Sequence, residues 1–305
     1  MMKYLYLSGY PQIFLSMTGL RVEEFDALVD DVRPLFAAAE VERLSRPDWQ
    51  RAMGGGVAAE LSMRDQVLLS VSHRRQDPRQ DILGYFFGVS QASVSRLLQR
   101  VLPLLEAAGR DRMRLPDPGR QGRRHLDNLL AARPQLMGVI DSFEHKVQRP
   151  KNADERDAWY TGKKKTHTLK SQTAVDEATG EIVYIPDRVP GPRPDLQLLE
   201  QSGRLGRLPQ AVAGLGDCGY QASDKRPPNA YRPRKKPPGN DRPTQDVAYN
   251  TAFARRRIIV ENSNARLRRY QRLSQTDRNH RQNHSQRVPA VAGLVNPPIR
   301  SRLLA

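Results

Sequence analysis

The amino-acid sequence predicts an all-α module followed by an α/β module in which a mixed sheet is flanked by helices. Three observations carry this. Apolar residues recur at helical spacing as far as about residue 109. Beyond residue 135, short apolar runs rich in β-branched residues are divided by turn signals. Between the two, residues 110–124 are dense in Arg, Pro and Gly, the composition of a linker lying over a surface.

The first helical segment, residues 1–50, is amphipathic. Phe25, Leu28, Val29 and Val32 share a stripe that Leu35 and Phe36 continue. It reads as a packing or partner-docking module and is assigned no chemistry. Arg46-Pro47 and Gly54-Gly55-Gly56 then predict a flexible joint. A second helical unit is expected over residues 59–109, centred on Gln80 to Leu105. Asp81 to Phe87 predicts a short helix and Gly88-Val89-Ser90 a tight turn. Ser90 caps a second helix, from Gln91 to about Leu102 ahead of Pro103. Gly84 is small where the helices cross, and Gly88 can take the positive φ of the turn. Val94, Leu97, Leu98 and Val101 form the buried stripe, which turns Gln91, Ala92, Ser95, Arg96 and Gln99 outward. The pattern resembles the helix-turn-helix of DNA-binding proteins, whose second helix enters the major groove. An ordinary helical hairpin is the alternative.

A linker at 110–134 leads to the α/β module over 135–290, with a C-terminal tail at 291–305. Leu136 to Ile140 predicts a strand ending in Asp141. Thr166 to Val175 and Glu181 to Ile185 predict a hairpin that turns at Thr179-Gly180. Leu196 to Gln201 predicts a short helix, and Ala211 to Leu215 a strand stopped by Gly216-Asp217. Lys225 to Arg242 predicts a proline-rich basic loop, and Asp246 to about Ser274 a long helix. This order of elements matches the RNase H-like fold.

Charge narrows the partners. Fifty Lys and Arg against 33 Asp and Glu leave the chain at +17, an excess suited to a polyanion such as nucleic acid. No basic amphipathic helix or apolar span of about 20 residues points to a membrane. Ser8, Gly9, Pro11 and Gln12 interrupt the apolar start that a signal peptide would need. A single cysteine, Cys218, excludes an internal disulfide and a thiolate zinc cluster. A cytoplasmic, nucleoid-associated protein is expected.

Three acids sit on separate predicted elements: Asp141 at the first strand, Asp217 after the later apolar strand and Glu261 in the long helix. In that helix Tyr249, Phe253, Val260 and Leu267 form the buried stripe, with Glu261 beside it. Phosphodiester chemistry needs a nucleophile, a stabilised leaving oxygen and relief of charge on phosphorus. Two divalent ions roughly 4 Å apart supply all three, and such hard ions need carboxylate oxygens. Each acid alone has an ordinary reading, as a turn former, a helix cap or half of a surface ion pair.

Longer blocks add to this. DSFEHKVQRPKN, from Asp141, and WYTGKKKTHTLKSQ, from Trp159, resemble the first catalytic block of bacterial insertion-sequence transposases of the DDE superfamily, the branch related to Harbinger transposases. LGDCGYQ, from Leu215, resembles the block of the second acid, and RKKPPG, from Arg234, its downstream basic loop. AYNTAFARRRIIVENSNARLRRYQRLS, from Ala248, resembles the block of the third acid. The helix-turn-helix followed by VLPLLEAAG fits the same group, so the resemblance spans roughly residues 60–295.

The resemblance implies a metal-binding triad of Asp141, Asp217 and Glu261 that holds two Mg²⁺ or Mn²⁺ ions. It implies DNA-contacting arginines four before and seven after the Glu, here Arg257 and Arg268, whereas Ala254 stands where the group tends to have Tyr. Asp195, in PGPRPDLQ, matches another acid of the group and is the alternative second ligand. The implied activity is that of a transposase: binding terminal inverted repeats, cutting 3′ ends and joining them to target DNA, as a homodimer or larger assembly on double-stranded DNA. Lys163, Lys164 and Lys165, with His167, and Lys235 and Lys236 are expected to contact phosphates; a solvated turn is the alternative for the first group. Trp159 and Tyr160 are expected to pack rather than to stack on a base. His280 and His284 read as polar surface, and Cys218 as a small packed residue. Two other activities stay open: a DNA-binding regulator without catalysis, and a nuclease without strand transfer. An inactive copy is a third possibility.

Overall fold

The computed structural model describes residues 2–45, 60–113, 137–185, 189–195, 197, 213–216, 230–236, 238–239, 241–277 and 284–304. Two compact units emerge, each built from more than one stretch of chain. The first comprises Met1–Arg112 with Tyr270–Arg272 and Pro289–Pro298; the second comprises Met113–Arg269, Leu273–Val288 and Ile299–Ala305.

Among its described residues the first unit is helical: α1 (Tyr4–Leu7), α2 (Pro11–Thr18), α3 (Val22–Leu44), α4 (Met63–Gln76), α5 (Gln80–Phe87) and α6 (Gln91–Arg112). Its core is the apolar stripe read from the sequence together with an aromatic cluster. Phe25, Leu28, Val29 and Val32 are buried, and Phe14 meets Phe25 edge-on at 5.2 Å. Leu35 and Phe36 do not share that burial. The helix starts follow the polar residues before them. Ser62 Oγ accepts from Asp65 N at 3.1 Å, and Glu24 reaches back to accept from Arg21 N at 2.8 Å.

The α5–α6 pair is a helix-turn-helix. Gly88 takes φ 73° at the end of α5, and Ser90 Oγ accepts from Ser93 N at 3.1 Å to open α6. Val89 N donates to Gly84 O at 2.9 Å, and a Cβ on Gly84 would fall 2.5 Å from Val89 O, so no larger residue fits that crossing. Instead of stopping near Leu102, α6 runs through Pro103 to Arg112. Proline removes one backbone donor. Burial of Leu98, Val101, Leu105 and Ala108 along one side holds the helix together across that gap.

The second unit contains β1 (Met137–Lys146), α7 (Ala153–Trp159), β2 (Tyr160–Thr161), β3 (Thr166–Asp176), β4 (Ile182–Tyr184), β5 (Val189–Pro190), β6 (Ala213–Leu215), β7 (Ala230–Tyr231), α8 (Thr244–Arg268), α9 (Gln271–Ser274) and α10 (His284–Leu304). Parts of α9 and α10 belong to the first unit. The sheet order is β2-β3-β1-β6-β7, with β4 and β5 also paired to β3. β3 runs antiparallel to β1, while β6 is parallel to β1 and β7 to β6. A long strand between an antiparallel hairpin partner and later parallel strands is the RNase H-like arrangement. The hairpin turns at Gly180, φ 75°, as its Thr-Gly predicts.

Several elements differ from the sequence reading. Asp141 lies in the middle of β1, which continues to Lys146 through alternating buried Phe143 and His145. Residues 291–304, expected as a tail, are helical, with Val291, Ala292, Leu294 and Val295 buried. α7 and β2 were not anticipated. The glycine joint at 54–56 and nearly all of the helix expected at 196–201 lie outside the described residues.

Candidate functional site

Asp141 is the best-defined acid. It faces Thr173 across the antiparallel register, so the two side chains share one face of the sheet. α8 packs on β1 and β3, burying Phe253, Val260 and Leu267. Helix and strand meet through polar groups at this point. Asn264 Nδ2 donates to Asp141 Oδ2 at 3.0 Å, Arg257 Nη2 lies 3.4 Å from Asp141 Oδ1, and Thr173 Oγ1 donates to Asn264 Oδ1 at 2.8 Å.

Glu261 occupies the same helix and is exposed. At 100° per residue, Asn264, Arg257, Arg268 and Glu261 fall within a sector of about 60°, flanking the buried stripe. Asp217 lies outside the described residues. The strand leading to it pairs Leu215 with Val139 in parallel register.

Asp195 is held elsewhere. Its Oδ1 accepts from Ser142 Oγ at 2.7 Å and pairs with Lys170 Nζ at 2.9 Å, and Lys170 also donates to Arg193 O at 2.6 Å. Because side chains alternate along a strand, Ser142 points to the face opposite Asp141. The structure therefore ties the alternative acid to a buried lysine rather than to Asp141.

The chemistry of the donors suits a hard cation at Asp141. One of its oxygens already faces the Arg257 cation, and carboxylate oxygen is the preferred ligand of Mg²⁺ and Mn²⁺. Among the described residues no three His, Cys, Asp or Glu come together as a metal cage. Asn264 and Thr173 were missed by sequence reasoning. Asn264 follows Glu261 by three residues and was open to a helical-face argument; Thr173 becomes visible only through strand register.

The outward face of α6 carries the expected polar residues. Gln91, Ala92, Arg96 and Gln99 are exposed and Ser95 is half-buried, while Val94, Leu97, Leu98 and Val101 are buried. Gln91 Nε2 donates to Gln80 Oε1 at 2.9 Å, linking the two helices at their polar ends. Lys163, Lys164 and Lys165 are exposed in the turn before β3, Lys165 with φ 50° and Lys164 Nζ at 3.7 Å from Glu144. Lys235, Lys236 and Arg268 are exposed too, Lys236 lying 3.4 Å from Asp241. Burial, reinforced by the Arg149 and Arg156 cations, holds His167 below its ordinary range. Trp159 is half-buried and Tyr160 exposed; the Tyr160 ring meets His167 edge-on at 5.5 Å. Among the described residues no helix is long and apolar enough to cross a membrane.

Known proteins share both parts of this arrangement. Residues 59–111 match the helix-turn-helix of DDE superfamily endonuclease, and residues 140–296 match the DDE superfamily endonuclease itself. The chain is 27% identical over 284 residues, 93% of each chain, to the probable transposase of insertion sequence element IS702 from Microchaete diplosiphon. It is 28% identical over 144 residues to the putative nuclease HARBI1 from Homo sapiens, covering 47% of this chain and 40% of that one. A pre-cleavage Mos1 transpososome structure matches at 13% identity, over 86% of this chain and 83% of that one. Its TM-score of 0.20 is too low to bear on the fold. With its endonuclease match spanning more than half of its length, behind a matching helix-turn-helix, the chain belongs to the DDE superfamily endonucleases.

Proposed function

We propose that the protein is a DNA transposase. It binds the terminal inverted repeats of its element through α6, cuts the 3′ ends by hydrolysis and joins the freed 3′-hydroxyls to target DNA. The observation that carries this reading is Asp141, held mid-strand by the helix that also bears Glu261. Likeness to the IS702 protein over nearly the whole of both chains supports transposition rather than regulation alone.

In this reading Asp141, Asp217 and Glu261 provide the oxygen ligands for two Mg²⁺ or Mn²⁺ ions. What supports Asp217 is its block, which begins at Leu215, the residue of β6 that pairs with Val139 of β1. When bound, such ions activate a water or 3′-hydroxyl and offset charge building on phosphorus. The protein does the rest. Asn264 orients Asp141, while Arg257 and Arg268 offer guanidinium donors to phosphate oxygens on the same side of α8. Lys163, Lys164, Lys165, Lys235 and Lys236 attract the backbone, and Gln91, Ser95, Arg96 and Gln99 face the groove. Pairing two ends calls for a dimer or larger assembly.

The test is 3′-end nicking of a labelled terminal fragment, with a parallel gel shift. Asp141→Asn, Asp217→Asn and Glu261→Gln each preserve size and remove charge. Each is expected to lower nicking by orders of magnitude while the gel shift persists. Nicking at the parent rate by all three variants sinks the proposal. Similarity to a putative nuclease favours one second reading, cleavage without joining, and a strand-transfer assay with precut ends separates the two.

A further inference from the structure

We propose that Thr173 and Asn264 are positioning residues that aim the Asp141 carboxylate at its cation, an inference that rests on the metal reading above. Thr173 is fully buried and Asn264 is 4% exposed, so both must spend their polar atoms inside the protein. The order of the hydrogen bonds gives the chain its direction. The Thr173 hydroxyl has one proton and donates it to Asn264 Oδ1 at 2.8 Å. A carboxylate only accepts, so Asp141 fixes which end of the amide is nitrogen: Nδ2 must face it and donates to Oδ2 at 3.0 Å. Asn264 Oδ1 is then left facing Thr173, whose hydroxyl lies closer to it than to Asp141 O at 3.4 Å.

The frame beneath this relay is stiff. Thr173 is the register partner of Asp141, so strand pairing fixes their separation. Ser263, beside Asn264, donates to Gly180 O at 2.7 Å and pins α8 to the hairpin turn. Asn264 therefore engages Oδ2, and Arg257 Nη2, 3.4 Å from Oδ1, marks the side from which a cation would meet the carboxylate. An aspartate carboxylate otherwise turns broadly about its last torsion, and binding a cation would have to freeze it. The helix that carries Glu261 thus also sets the orientation of Asp141.

The full-length chain is titrated with Mn²⁺, and free ion is read by electron paramagnetic resonance in the absence of DNA. Thr173→Val keeps the shape and removes the donor, Thr173→Ser keeps the donor, and Asn264→Ala removes the amide. Thr173→Val and Asn264→Ala are expected to weaken Mn²⁺ binding by about 10- to 100-fold, while Thr173→Ser stays near the parent. Thermal melting without metal shows whether each variant is folded. Should Asn264→Ala fail to fold, the Val and Ser variants of Thr173 decide. A purely structural role lowers the melting temperature of Thr173→Val and leaves its Mn²⁺ affinity untouched, which overturns the inference. Asp141→Asn serves as the reference. If it abolishes binding while Thr173→Val and Asn264→Ala bind like the parent, the relay falls and the metal reading stands. If Asp141→Asn binds Mn²⁺ like the parent, the metal reading falls and takes the relay with it.

Discussion

At the scale of single residues, what decides an acid's role is the group that faces it. Asp141 meets an amide and a guanidinium from α8, whereas Asp195 meets the ammonium of Lys170, a residue only 8% exposed. Sequence alone sets Asp141 in the triad and leaves Asp195 as the alternative to Asp217, each in a block that resembles the family's. Asp195→Asn removes the partner of a nearly buried cation. It is expected to cost about 1–2 kcal/mol, less than a fully buried pair because Asp195 is partly exposed. Thermal melting checks this, with nicking by the folded protein staying near the parent. An unchanged melting temperature with nicking lost would make Asp195 a ligand instead.

At the scale of elements, local sequence determines most of the helix-turn-helix. Ser90 caps, Gly88 turns, and four apolar residues face inward. Gly84 adds a tertiary demand, since its missing Cβ makes room for Val89 O. Gly84→Ala is expected to destabilise the helical unit by about 1–3 kcal/mol through overpacking. It should also weaken terminal-DNA binding, because the two helices must move apart. Gly162→Ala is the control: a Cβ there meets nothing within 4 Å and should change neither. Equal melting temperatures for both variants would show that the crossing has slack. Proline misled the reading of α6 for a related reason. Pro103 removes one hydrogen bond, and buried leucines and valines on either side outweigh that loss.

At the scale of the whole molecule, the helical unit is completed by residues far along the chain. Arg272 forms a buried ion pair with Asp77, the left-handed residue that ends α4. Arg75 lies over the ring of Tyr270 at 5.1 Å, and Gly293 lies against Gly109 so closely that a Cβ would fall 2.5 Å from its Cα. Arg272→Ala removes the Arg272 cation from the buried Asp77 carboxylate and is expected to cost about 3–5 kcal/mol. Denaturant unfolding, followed by amide exchange in α4, measures it. Asp77→Asn combined with Arg272→Met removes both charges and should recover most of the loss. A fragment ending at residue 112 should melt below the same helices in the full chain. Equal protection of α4 in both would contradict this completion.

Composition, periodicity and block order were enough to determine the class of protein. Net charge, the glycine turn, the strand and helix runs and the spacing of acid-bearing blocks all follow from local chemistry, which a linear sequence carries. Burial of α10, the tie of Asp195 to Ser142, and the relay from Thr173 through Asn264 were decided only by tertiary structure. Each depends on which residue lies across a strand pair or beneath a helix. In the relay, packing brings such neighbours together over separations of 32 to 123 residues, where sequence spacing carries no signal.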